Sequence, residues 1–142
     1  MKKVVILFLC CLGLVGCATM SDVINPNREN LMKLSIGMTK DEVIKIMGKD
    51  TKTAYKNPAM LNILSYGMAA ESQKISNPYR SEILPGKDKT LEVWYYVTDD
   101  KTGKGIITDD CLTPLVFDNG KLIGWGQGFL QDNAQKYEIR IR

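Results

Sequence analysis

The dipeptide Asn119-Gly120 sits between two apolar runs in "CLTPLVFDNGKLIGWG" and constrains the fold more than any other feature of the 142-residue chain. Asn-Gly accepts the positive φ angles of a two-residue hairpin turn, so the runs on either side are expected to pair as antiparallel strands. Just upstream, "TLEVWYYV" alternates Leu91, Val93, Tyr95 and Val97 with Glu92, Trp94 and Tyr96. Its β-branched and aromatic content also marks a strand. Pro114 has no N–H for a ladder and is therefore expected at a strand's beginning or outer edge. The terminal "KYEIRIR" alternates apolar and charged residues and reads as an edge strand blunted by charge or as an ordered tail.

The first half carries helical signals. Thr39 and Glu42 stand at capping-box spacing, Val43, Ile46 and Met47 follow as one apolar face, and Gly48 is placed to end that helix in a left-handed conformation. Asn27 is expected to cap a preceding short helix bearing Leu31, Met32 and Leu34, with the turn between the two at Gly37. "NPAMLNILSYGMAAESQ" fits a helix or an irregular hydrophobic loop, and Tyr79 to Leu84 reads as a short strand among Pro78, Pro85 and Gly86. Helices followed by antiparallel strands define an α+β class. The expected architecture is a two-layer sandwich, with an N-terminal helix hairpin on a three- or four-stranded antiparallel sheet.

The chain opens "MKKVVILFLCCLGLVGC": two lysines, then an apolar run of the length of a signal-peptide core, then small residues. The run is too short for a membrane-spanning helix, which takes about 20 apolar residues. An ordinary secretory leader would end in an A-x-A-like site, whereas Leu14, Val15, Gly16 and Cys17 resemble the bacterial lipobox. That resemblance implies cleavage before Cys17, diacylation of its thiol, and acylation of the new amino terminus with a palmitate-type chain. The expected organisation is a signal peptide over 1–16, a lipid-anchored tether over 17–26 and a single domain over 27–142. A tether of about ten residues would reach roughly 30 Å. Ala18 after the cysteine, where an aspartate would imply inner-membrane retention, points to the periplasmic face of the outer membrane.

Removing Lys2 and Lys3 from the 19 basic residues leaves 17 against 16 acidic ones, so the mature domain is nearly neutral and gives no basis for nucleic-acid binding. Cys10 and Cys11 leave with the leader and Cys17 is capped, so Cys111 remains the one thiol, expected as a small buried hydrophobe. There is no histidine, which removes Ser-His and Cys-His nucleophile pairs and the commonest metal ligand. Asp99, Asp100, Asp109 and Asp110 flank "KTGKGIIT" without the ligand spacing of a calcium loop, and read as a solvated loop. No catalytic residue, metal site or cofactor is expected.

"LSIGMTKDEVIKIMG", "LEVWYYV" and "PLVFDNGKLIGWG" together resemble the SmpA/OmlA family of small bacterial outer-membrane lipoproteins. The matching residues are Gly37, Met38, Thr39, Glu42, Val43 and Gly48, then Trp94 and Tyr96, then Phe117, Asn119, Gly120, Lys121 and Leu122. The resemblance implies a non-enzymatic envelope protein that binds another protein, in the manner of the family's subunit of the β-barrel assembly machinery, in outer-membrane assembly or integrity. An inhibitor of a cell-wall enzyme or a small-ligand-binding module is the alternative. Ile36 and Met38 in the interhelical turn, with Trp94 and Tyr96 on a shared strand face, are the candidate contact surface.

Overall fold

The computed structural model describes residues 18–55 and 72–139. Cys17, the apolar segment 58–70 and Arg140 to Arg142 lie outside the described residues.

The fold is α+β. Helix α1 (Ser21–Leu31) and helix α2 (Lys40–Met47) lead into strand β1 (Thr51–Tyr55), which pairs antiparallel with β2 (Ser72–Ser76) as a two-stranded ribbon. Strands β3 (Arg80–Pro85), β4 (Thr90–Val97), β5 (Leu112–Asp118) and β6 (Lys121–Trp125) then form a four-stranded antiparallel sheet in chain order, followed by helix α3 (Gln127–Lys136). The β5–β6 hairpin turns where expected, with φ of 48° at Asn119 and 76° at Gly120. Pro114 lies opposite Tyr95 of β4, one residue before β5 begins pairing with β6 at Leu115, so its missing N–H interrupts no bond to β6.

Residues of β4 point into two separate cores. Leu91, Val93, Tyr95 and Val97 pack with Val116, with Met20, Val23 and Ile24 around α1, with Ala54 and Ile75 of the ribbon, and with Leu130 and Ala134 of α3. Trp94 and Tyr96 point the other way, to Leu115, Phe117 and Leu122, under Leu34 and the Val43 and Met47 side chains of α2. Helix on antiparallel sheet is thus present as expected, and the sheet is covered on its second face as well.

Three segments differ from the expectation. Residues 18–26 are not a tether: Ala18 O accepts from the Tyr55 N–H, Thr19 bridges Tyr55, and α1 begins at Ser21 with Met20, Val23 and Ile24 buried. Asn27 is an interior residue of this helix and not its cap. Its buried amide donates to Val97 O at 2.8 Å and exchanges bonds with Asn77, whose amide also reaches Met47 O at 3.1 Å. One residue earlier, Pro26 cannot donate to Asp22 O, and Lys52 Nζ bonds that carbonyl instead, at 3.0 Å. The third segment is the carboxy-terminal part of the chain, where α3 ends at Lys136, Tyr137 and Glu138 turn and Ile139 is buried, so the described part of "KYEIRIR" is the ordered tail and not the edge strand. Gly124 makes room for α3, because a Cβ there would stand 2.6 Å from the Phe129 ring.

Candidate functional site

Trp94 and Tyr96 do share a strand face, but that face is interior. Tyr96 is fully buried and Trp94 is 8% exposed, so neither is a contact surface. The reason is α2, whose Val43 and Met47 close over the sheet once the helix starts at Lys40. The Trp94 ring packs on Phe117 with centroids 4.7 Å apart, and its Nε1 donates to Glu92 at 2.7 Å. Glu92 in turn pairs with Lys40 at the head of α2, and the Lys40 ammonium lies 5.9 Å from the Trp94 centroid. Burial pushes the Glu92 carboxyl up, but the bonds from Lys40 and Trp94 outweigh it and hold the pKa below the usual range. Tyr96 has no such compensation, and burial of its hydroxyl, which has no hydrogen-bond partner among the described residues, raises its pKa.

The other half of the expected surface stays outside. Gly37 N–H donates to Leu122 O at 2.7 Å, Leu122 N–H donates to Met38 O at 2.8 Å, and Thr39 bridges Lys121. The turn between α1 and α2 is therefore laced to the outer edge of β6, which also covers a sheet edge otherwise open to unwanted pairing. The Thr39–Glu42 capping box fixes its exit: Thr39 Oγ1 accepts from the Glu42 N–H, and the Glu42 carboxylate accepts from the Thr39 N–H at 2.8 Å. Met38 folds back, half-buried against the second core, with its sulfur 3.4 Å from the Ser35 N–H. Ile36 is left 73% exposed.

Met32, expected to join Leu31 and Leu34 on one apolar helix face, is 88% exposed because α1 ends at Leu31 and the chain turns before Leu34 re-enters the core. Its exposure could have been read from the sequence only with the helix end known. Lone exposed apolar residues are ordinary. Here two of them border a turn whose backbone is held at both sides, so an apolar contact would order little additional chain.

The acidic loop is a structural device. Asp99 pairs with Arg28 at 2.9 Å and Lys101 at 2.6 Å, Asp109 pairs with Arg80 at 2.8 Å, and Asp100 accepts from the Gly105 N–H at 2.9 Å. Among the described residues no three of the acidic and cysteine side chains cluster so as to hold a metal ion. Cys111 is buried and free, as expected, beside the Thr108 hydroxyl at 3.4 Å. A groove of about 170 Å³ between α1, the end of α2 and β1 is lined by polar Asn27, Asn30, Lys45, Asp50 and Lys52, several of them already committed to the Asn27–Asn77 bonds and the Asp22 carbonyl.

A family model for proteins of unknown function, DUF3192, matches residues 18–132. The chain belongs to the DUF3192 family. The match takes in α1, α2, the ribbon and the whole four-stranded sheet, and so contains the Trp94 core, the apolar turn and the other core as far as Leu130 of α3. Neither a curated protein nor a solved structure matches the chain. Among the described residues no helix is long and apolar enough to cross a membrane.

Proposed function

We propose that this DUF3192 protein is a non-catalytic lipoprotein of the bacterial envelope, held through acylated Cys17 at the periplasmic face of the outer membrane, that binds another envelope protein in outer-membrane assembly or integrity. The observation that carries the binding reading is the turn bearing Met32 and Ile36, two exposed apolar side chains just ahead of Gly37 and Met38, whose backbone is laced to β6. The lipobox-like "LVGC" and the likeness of the helix start and hairpin to the SmpA/OmlA lipoproteins support the setting. The close packing of Trp94 against Phe117 favours a protein contact over the alternative of a small-ligand site built on that tryptophan.

Copurification tests the reading. A carboxy-terminally tagged protein, gently extracted from membranes, is expected to bring down β-barrel assembly components, and Ile36→Asp is expected to lose them while keeping the wild-type unfolding midpoint. Cys17→Ala is expected to leave the membrane fraction. Retention of the same partners by a folded Ile36→Asp protein would remove the turn from the contact.

A further inference from the structure

The distance between the proposed anchor and the folded domain is one peptide unit. Ala18, the residue after Cys17, already bonds Tyr55 at 3.2 Å, and Thr19 bridges the same residue while its N–H and hydroxyl both donate to Asp22, at 2.6 and 2.9 Å. Consecutive Cα atoms are about 3.8 Å apart, so lipid on Cys17 would hold this end of the domain close to the bilayer. What else stands at that end then meets lipid headgroups.

The loop between β4 and β5 is there. The Gln73 amide links it to the start of the chain, donating to Gly105 O at 2.5 Å and lying 3.4 Å from the Met20 sulfur. The loop presents Lys104, exposed, and Ile106, 48% exposed, on either side of buried Gly105. Its shape is set from within by Asp100, which takes bonds from Gly105 N–H and the Thr102 hydroxyl. Two of the four neighbouring acids are paired, Asp99 with Arg28 and Lys101 and Asp109 with Arg80, while Asp100 and Asp110 are held by hydrogen bonds within the loop.

We infer that the β4–β5 loop is a second membrane contact, with Ile106 entering the headgroup–acyl boundary and Lys104 meeting lipid phosphate, so that the domain is docked on the bilayer in one orientation. The inference rests on the acylation of Cys17. An apolar side chain beside a basic one suits this boundary, and a second contact would fix the tilt of a domain that its acyl chains already hold at the membrane. The same orientation carries the partner-binding turn away from the anchor, since α1 starts beside it and its 11 residues span about 16 Å before Met32.

The test uses the acylated full-length protein in vesicles of phosphatidylethanolamine and phosphatidylglycerol containing a headgroup-nitroxide lipid. With Cys111 buried and Cys17 capped, single cysteines introduced as Ile106→Cys and Ile36→Cys can each carry a bimane fluorophore. The expected result is loss of most bimane emission at position 106 and its retention at 36. Equal quenching at the two positions, or stronger quenching at 36, on protein whose mass includes the acyl chains overturns the docked orientation alone. A mass lacking the acyl chains overturns the anchor and the orientation with it.

Discussion

The two faces of the four-stranded sheet are covered by unlike means. One is packed by three separate contributors, α1, the β1–β2 ribbon and α3, which each bring a few aliphatic side chains to Leu91, Val93 and Val97. The other is closed by α2 and Leu34 over the large side chains of Trp94, Tyr96 and Phe117. Bulky aromatic groups let one short helix cover a face that otherwise takes several elements, because each such residue buries 150–250 Å² as a rough rule. The aromatic stripe of β4 is therefore a covering device, while Met32 and Ile36, ahead of the covering helix, stay exposed.

The comparison can be strained hardest at Tyr96. Tyr96→Ala should cost about 3–5 kcal/mol of unfolding free energy in a denaturant titration, the range for deleting a buried aromatic ring. Leu91→Ala on the opposite face should cost about 2–5 kcal/mol and act on the same single transition, because β4 belongs to both cores. Two separate transitions in either variant would show that the faces fold independently. Tyr96→Phe is a finer probe: it removes an unpartnered buried hydroxyl and should raise stability by about 1 kcal/mol, whereas a fall would reveal a partner for that hydroxyl.

Asn27 joins the two sides of the structure, since its amide bonds Val97 of β4 and Asn77, which holds the end of α2. Asn27→Ala strands both partners and should cost about 1–3 kcal/mol by thermal or chemical unfolding. A smaller effect is expected at the head of α2, where Thr39→Ala should cost about 1 kcal/mol near neutral pH. The Thr39 N–H and hydroxyl hold the Glu42 carboxyl below its usual 4.5. The stabilisation from that depressed carboxyl is complete above 4.5 and is lost as pH falls through the lower folded value, so the gap between wild type and Thr39→Ala should narrow in acid. A gap independent of pH would dissociate the cap from Glu42.

The smallest effect belongs to the turn itself. Ile36→Asp should change stability by no more than about 0.5 kcal/mol, as for other surface sites, and its consequence should appear in binding.

What could be read from the chain follows how local each signal is. The α2 cap lies within four residues and the β5–β6 turn within two, and both formed as expected, as did β4. At Gly48 the φ is positive, 76°, but ψ is extended at 165°, so the end of α2 leads straight toward β1 instead of curling into a left-handed cap. Helix α1 escaped because Pro26 and a buried asparagine are stabilised by Lys52, Asn77 and Val97, partners remote in sequence. The ribbon contributes one fully buried residue per strand, Ala54 and Ile75, and α3 buries Leu130 and Ala134 behind two glycines, patterns too sparse to separate from loop. Alternation in β4 identified which residues share a face. Whether that face meets solvent or a helix depends on where α2 lands, so Trp94 and Tyr96 are buried against expectation while Ile36 is exposed.

The central claim is that the exposed turn, and not the exposed edge of the sheet, meets a partner. Ile83 on edge strand β3 is 71% exposed, close to the 73% of Ile36, and so serves as a matched control. A photo-crosslinking amino acid placed at each position in turn, in living cells, compares them directly. A discrete protein adduct from position 36, absent from position 83 and lost when Cys17 is replaced by alanine, is the expected outcome. No adduct at 36, or the same adduct at both positions, would contradict the account.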